Sequence, residues 1–313
     1  MIKDLVSIVI PTHKRPELLK KALESALAQT YPHTEIIVVD DNSGDNTEEI
    51  VKDFGSSKIR YYRNDSSLGG AGTRNIGIEN SEGEFISFLD DDDIWYKNKI
   101  ELQLQKIKEN ENNVLCTCGL RVVYVREKLK YFNFPKIHDV SFEHMLLNNR
   151  VGITSTVMVR RSALDKAGFF DTDLPAREEY ELWIRLSRVG NFVSVNRPLL
   201  DYFIHPSRRQ ISADIDKFII SNSRIREKYR AEYAKMSEDR IRELDADNMF
   251  QYSTIAINNK KQIPALKYIM KSLSKKFSPG RLLIFVTYLM GFRSYILLKQ
   301  FYGNKLKRKY ERI

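Results

Sequence analysis

Cysteine is nearly absent from this 313-residue chain: Cys116 and Cys118 are its only two, with one residue between them. That spacing is too tight for an unstrained disulfide, and no further cysteine exists to complete a zinc site, so disulfide scaffolds and zinc modules drop out. The scarcity fits a reducing compartment. The opening MIKDLVSIVIPTH has too short an apolar stretch for a secretory signal and no small-residue cleavage site, so a cytoplasmic location is the expectation. Neither a GK[ST] phosphate loop nor a GxGxxG fingerprint occurs. The apolar tract LLIFVTYLMGFRSYILL, at 282–298, is short for a spanning helix and contains Arg293 and Ser294.

What is present suits a globular protein, with 42% hydrophobic residues to build a core and 29% charged residues to keep the surface solvated. The net charge of +10 is placed unevenly. From Ile263 onward twelve Lys and Arg face one acid, Glu311, so the rest of the chain is close to neutral. A nucleic-acid-binding protein is the usual reading of such a charge, but here the surplus is interleaved with the apolar tract and not with aromatic residues on a basic strand face. A basic, apolar terminal segment looks like an anchor on an anionic membrane surface. The alternative is a buried helix packed on the main domain or on a partner subunit, which leaves an oligomer open.

The first half alternates strand and helix signals. Val6–Ile10 is a β-branched run closed by Pro11, and from Pro16 apolar residues recur at helical spacing with proline in the favoured first turn. Strands are expected at 35–39, 59–62 and 85–89, with helices at 47–54 and 71–80. Beyond these come a helix at 101–110, one or two strands over 114–125, a strand at 153–159, and helices at 142–148 and 179–188. This cadence predicts an α/β fold with a mostly parallel sheet flanked by helices. From about Asp214 the pattern is helical and charged, so the expected division is 1–213 and a basic helical region, 214–313, carrying the candidate anchor at 282–298.

Ligands of such sheets bind at the carboxyl ends of the strands. Those ends carry Pro11-Thr12-His13, Asp40-Asp41 and Asp90-Asp91-Asp92-Asp93. Four adjacent aspartates repel one another and are costly to desolvate, so they belong to solvent or to a cation. Alternate positions, Asp90 and Asp92, can reach one side together. Oxygen ligands of this kind suit Mg2+ or Mn2+, which complete their shells with phosphate and water. Asp41 can accept from a base N–H or a ribose hydroxyl, or else cap the helix at Thr47. Gly69-Gly70-Ala71-Gly72-Thr73-Arg74 opens a helix and is either an anion contact or a tight turn. The acids of Arg177-Glu178-Glu179-Tyr180-Glu181 either do chemistry or form the polar first turn of an amphipathic helix.

Taken together, VSIVIPTHKRPELLKKALESALAQTYPHTEIIVVDDNSGDNT, GGAGTRNIGI and GEFISFLDDDDIW strongly resemble the family 2 glycosyltransferases of the GT-A fold, inverting enzymes of bacterial polysaccharide biosynthesis. AGFFDTDL, REEYELWIRLSRVG and YFIHPSRRQIS continue the resemblance, which spans roughly residues 4–213. It implies a sugar transferred from a nucleotide donor, UDP above all, to a hydroxyl of a glycan or lipid-linked glycan acceptor, with Mn2+ or Mg2+. By this resemblance Pro11, Thr12, His13 and Asp41 hold the nucleotide base, with Arg15 and Arg74 close to the donor. Asp90 and Asp92 match the DxD positions that contact ribose and the diphosphate-bound metal. Asp91 belongs to the donor site but faces away from the metal, and Asp93 supports the pair. Glu179 falls where the family has the aspartate of its ED motif, the catalytic base, with Glu178 as competitor. His205 and Ser212 match a segment that closes over the diphosphate, with Arg208 and Arg209 available for its charge and His205 as a further metal ligand.

Two departures stand out: the base position is Glu where the family usually has Asp, and Tyr-Phe-Ile precedes His205 where Tyr-Arg-x is common. Loops after Val125 and around Val151–Thr156 are expected to shape acceptor selection. The membrane-like tail suggests a lipid-linked acceptor and a peripheral position on the inner face of the membrane. A sugar-phosphate nucleotidyltransferase would also want a parallel sheet and carboxylates, but its glycine-rich basic loop after the first strand is replaced here by PTHKRPE.

Overall fold

The computed structural model describes residues 1–135, 137, 140–204 and 214–310. It opens with β1 (Ile2–Thr12), α1 (Pro16–Leu27), β2 (Thr34–Asp40), α2 (Thr47–Asp53), β3 (Ile59–Arg63), α3 (Gly69–Glu79) and β4 (Gly83–Phe88). There follow β5 (Asp93–Trp95), α4 (Lys99–Lys108), β6 (Asn113–Tyr124), β7 (Leu129–Asn133), α5 (Phe142–Leu147), β8 (Met158–Arg160), α6 (Arg161–Ala167), α7 (Glu178–Leu186) and β9 (Asn191–Ile204). The rest is helical: α8 (Ile215–Lys228), α9 (Arg230–Tyr233), α10 (Glu238–Asn258), α11 (Gln262–Lys275), α12 (Pro279–Leu289) and α13 (Phe292–Tyr310).

The described strands form one sheet in the order β3-β2-β1-β4-β8-β6-β9-β5, with β7 also paired to β6. β3, β2, β1 and β4 run parallel, so the carboxyl ends of β1, β2 and β4 fall along one edge. β8 enters antiparallel between β4 and β6, and β9 runs parallel to β6. The near-continuous apolar run of β1 follows from having both faces covered. Val6, Ile8 and Ile10 pack with Leu19, Ala22 and Leu23 of α1, while Val9 packs with Ala71 and Ile78 of α3. Residue 77 must be small for α3 to lie this close, because a Cβ there would sit 2.3 Å from Val9 Cγ1.

The mostly parallel α/β architecture and the helical C-terminal region are as expected. Three local features differ. The strand expected at 153–159 is a 3-10 turn, Thr154–Thr156, followed by the short β8. The polar turn serves the acidic run: Thr154 Oγ1 donates to Asp90 Oδ2 at 3.2 Å, and the Asp90 N–H donates to Ser155 Oγ at 3.0 Å. β5 was hidden in the polar DIW segment. The long β9 was masked by Asn196-Arg197-Pro198, where its register against β6 shifts.

Residues on the two sides of position 214 are in contact. Arg177 donates to Asn222 of α8, and Tyr124 donates to Asn258 of α10 at 3.0 Å. The apolar tract at 282–298 is split between α12 and α13, with Tyr288, Tyr295 and Ile296 fully buried. Gly303 of α13 lies directly on the backbone of Phe132 in β7, where a Cβ would meet the carbonyl oxygen at 2.4 Å. Among the described residues no helix is long and apolar enough to cross a membrane.

Candidate active site

A cleft of about 430 Å³ opens at the carboxyl ends of β1, β2 and β4. Pro11, Thr12, His13, Arg15, Asp41, Arg74, Asp90, Asp91, Asp92, Glu178 and Glu179 all line it, so these residues, far apart in sequence, meet at one place. His205, Arg208, Arg209 and Ser212 lie outside the described residues.

Asp41 is buried one residue past β2 and organises one wall. Its Oδ1 accepts from Asn64 Nδ2 at 2.9 Å and the Leu68 N–H at 2.7 Å. Its Oδ2 accepts from the Ser67 hydroxyl at 2.6 Å and the Gly69 N–H at 3.0 Å. Burial pushes the carboxyl's pKa up, but these hydrogen bonds to the charged form outweigh it, and the value falls below the ordinary 3.8. The anion at the glycine-rich start of α3 is therefore Asp41 itself. Capping at Thr47 falls to Asp45, whose Oδ1 accepts the Thr47 N–H at 3.1 Å, so Asp41 is free of the capping alternative. The Asp41 carbonyl in turn accepts from His13 Nδ1 at 2.8 Å.

Two arginines hold the acidic run. Arg15 Nη1 reaches Asp91 Oδ1 at 3.0 Å and Asp92 Oδ2 at 3.1 Å, and Thr12 Oγ1 donates to Asp91 Oδ2 at 2.8 Å. Arg74 Nη2 reaches Asp90 Oδ1 at 2.6 Å, and its Nη1 reaches Glu178 Oε1 at 3.3 Å. Arg74 thus ties the acidic run to the start of α7. Asp93 is different. It is 1% exposed, its carboxylate oxygens lack a well-formed hydrogen bond, and the Ser155 hydroxyl is the neighbouring donor. Burial first, then the charges of Asp92 and Asp90, drive its pKa well above the usual carboxylate range.

Glu178 and Glu179 begin α7, behind Arg177 in a left-handed conformation with φ of 61°. The Arg177 guanidinium stacks on Tyr180, 4.2 Å from the ring centroid, and its bond to Asn222 fixes it to α8. Glu178 is taken up by Arg74. Glu179 has no ion pair or side-chain hydrogen bond among the described residues; the nearby charge of Arg177, its own backbone N–H and the charge of Arg74 favour its charged form. Burial, then the charge of Glu178, push its pKa from the ordinary 4.5 up to about 7. A carboxyl titrating near neutrality on a cleft wall is suited to accept a proton.

The donor set fits a hard divalent cation. Asp90 and Asp92 line the same cleft, and Mg2+ or Mn2+ needs only one or two carboxylate ligands besides phosphate and water. A full protein cage is absent: among the described residues no three His, Cys, Asp or Glu side chains converge on a metal position.

Sequence reasoning passed over Ser67, Thr154, Arg177, Tyr202 and Phe218, all of which line the cleft. Thr154 lies in the Val151–Thr156 loop expected to shape acceptor selection, and its hydroxyl donates to Asp90. Phe218 comes from α8, and nothing in its local sequence signals a site. Only packing brings it there.

Residues 7–168 match the family model described as Glycosyl transferase family 2. The chain is 32% identical to an uncharacterized glycosyltransferase of Rickettsia typhi, RT0329, over 65% of this chain and 65% of that protein. It thus spans just under two thirds of that relative's length. It is also 32% identical to the Escherichia coli UDP-Glc:alpha-D-GlcNAc-diphosphoundecaprenol beta-1,3-glucosyltransferase WfgD, over 61% of this chain and 73% of that protein. In fold it is similar to the mannosyltransferase PcManGT of Pyrobaculum calidifontis in complex with GDP-Man and Mn2+, with a TM-score of 0.58, 14% identity and coverage of 97% of this chain and 86% of that one. The fold is of the GT-A type. The chain belongs to glycosyl transferase family 2.

Proposed function

We propose that this family 2 glycosyltransferase is an inverting, metal-dependent enzyme moving a hexose from a UDP donor to a hydroxyl of a lipid-linked glycan, at the cytoplasmic face of the membrane. The observation that carries this reading is Glu179, a carboxyl with raised pKa and no side-chain partner, on the wall of the cleft that holds Asp90 and Asp92. The UDP donor and the diphosphate-lipid acceptor are suggested by what WfgD is named for.

In this reading Pro11, Thr12 and His13 receive the nucleotide, while Asp41 keeps the 64–69 loop shaped around it. Asp90 and Asp92 would hold Mn2+ or Mg2+, which when bound offsets charge on the departing diphosphate. Arg15 and Arg74 hold the acidic run in place. The Arg74–Glu178 contact supports assigning the base role to Glu179 and not to Glu178. Glu179 takes the proton of the acceptor hydroxyl, whose oxygen forms a bond to the anomeric carbon. The bond from that carbon to the diphosphate oxygen breaks on the opposite side, and its electron pair leaves with UDP. A single displacement inverts the configuration, consistent with the β-linked product in the name of WfgD. His205, Arg208, Arg209 and Ser212 complete the proposal as groups that close over the diphosphate, with His205 a further ligand for the ion.

The test is a panel of nucleotide sugars with Mn2+ and a prenyl-diphosphate-linked GlcNAc acceptor, following UDP release and product by mass spectrometry. Acceptor-dependent UDP release with one added hexose is expected. Release of pyrophosphate, or no turnover with any donor of the panel, would reject the reading.

A further inference from the structure

The large apolar side chains exposed on this protein are not scattered. Among the described residues twelve of eighteen lie from Ile263 onward, the same stretch in which twelve Lys and Arg face one acid. Within it α12 is apolar on all sides, as a helix buried all round would be. Only one side is covered. Ile284 and Phe285 pack on the core and Thr287 and Tyr288 are buried. Leu282, Leu283, Val286, Leu289 and Met290, spaced as one helical face, are each 40–70% exposed. Lys276 and Arg281 are engaged by Asp239, Glu243 and Asp247, but Lys267, Lys275, Arg293, Lys305, Arg308 and Lys309 of the same stretch are exposed.

We propose that the outer face of α12 is a docking surface for an anionic lipid bilayer, its leucines, valine and methionine entering the headgroup boundary while the exposed lysines and arginines meet the phosphates. Charge complementarity decides the occupant. A second copy of the chain docking through this face would bring the same positive charge against itself, which costs affinity, whereas an anionic leaflet attracts it. α12 lies flat on the protein through Tyr288, so the contact is peripheral and shallow. The surface anchor and the packed helix expected from sequence are two faces of one element. The proposal accords with a lipid-linked acceptor but stands on separate observations.

Deleting the tail would not test this, because Tyr288, Tyr295 and Ile296 belong to the core. The experiment uses the full chain with vesicles of phosphatidylcholine plus phosphatidylglycerol, and of phosphatidylcholine alone. Wild-type protein should float with the anionic vesicles, lose binding as salt rises, and bind neutral vesicles weakly. Leu283→Asp with Val286→Asp should weaken binding roughly ten-fold or more, with unchanged thermal melting. Leu283→Ser with Val286→Ser gives a milder loss and covers a folding defect in the first variant. Lys305→Glu with Arg308→Glu should abolish the preference for anionic vesicles. Equal binding to both vesicle types, or binding to neither, overturns the proposal. So does a dimer in solution that the Leu283 and Val286 changes break apart. Vesicle binding needs no donor, so a failed transfer assay with intact flotation would reject the enzymatic reading and leave this one standing.

Discussion

Changing Glu178 to Gln removes one negative charge from beside Glu179 and releases Arg74 from its contact on α7 while leaving the fold of the cleft intact. Glu179 stands at about 7 against an ordinary 4.5, burial being the larger cause and the Glu178 charge the next, with Arg177 and Arg74 pulling the other way. Neutralising Glu178 therefore lowers the Glu179 pKa without returning it to 4.5, because burial remains. The sign follows directly. A base works deprotonated, so the acidic limb of kcat/KM for the acceptor, which rises through about pH 7 in the wild type, moves to lower pH. At about pH 6, where roughly a tenth of Glu179 is deprotonated in the wild type, the deprotonated fraction therefore rises, by at most about ten-fold. The plateau at high pH falls modestly, because a weaker base transfers the proton less well. The assay is acceptor-dependent UDP release across the pH range with saturating Mn2+. A limb that stays where it was, or moves up, refutes the coupling between the two glutamates.

Gly77→Ala places a Cβ 2.3 Å from Val9 Cγ1, so α3 must lift from β1 and carry Arg74 with it. A loss of about 1–3 kcal/mol in chemical denaturation is expected, partly restored by Val9→Ala in the same chain. Asp41→Asn puts an amide nitrogen against donors that now face a carboxylate, at a cost of about 2 kcal/mol. The Asp41 pKa is depressed, so its contribution is present above the ordinary aspartate value of 3.8 and lost as pH falls below it; the gap between wild type and variant in thermal melts should narrow in acid. Asp92→Ala should reduce UDP-sugar affinity measured calorimetrically with Mn2+ to the level seen without it, a drop of roughly ten-fold or more. Unchanged affinity would remove Asp92 from the metal site.

Much of the fold was legible because the β1, β2 and β4 segments are apolar runs buried on both faces, and such runs end where polar clusters begin. The same logic put Thr12, Asp41 and Asp90 at one sheet edge before any coordinates. The pairing within the site was not legible. That Arg15 takes Asp91 and Asp92 while Arg74 takes Asp90 and Glu178 depends on how α1 and α3 are set against the sheet, to which the carboxylate spacing is blind. The proposed preference for Glu179 over Glu178, first drawn from the resemblance, gains support from that pairing. The 3-10 turn at Thr154–Thr156 escaped because Val151–Val159 has strand composition, and its hydroxyls reveal their role only beside Asp90. Phe218 and Asn222 belong to a charged helix whose sequence has no site signature.

Glu179 is the proposed base, and Glu179→Gln removes its ability to accept a proton while keeping its size. Donor affinity and acceptor-dependent UDP release are measured on the same preparation, with Mn2+. Donor binding should stay within about two-fold of wild type while turnover falls by ~10²–10⁴-fold, the contribution expected of a general base. Turnover retained within about ten-fold, with donor binding intact, would contradict this and move the base role elsewhere, first to Glu178.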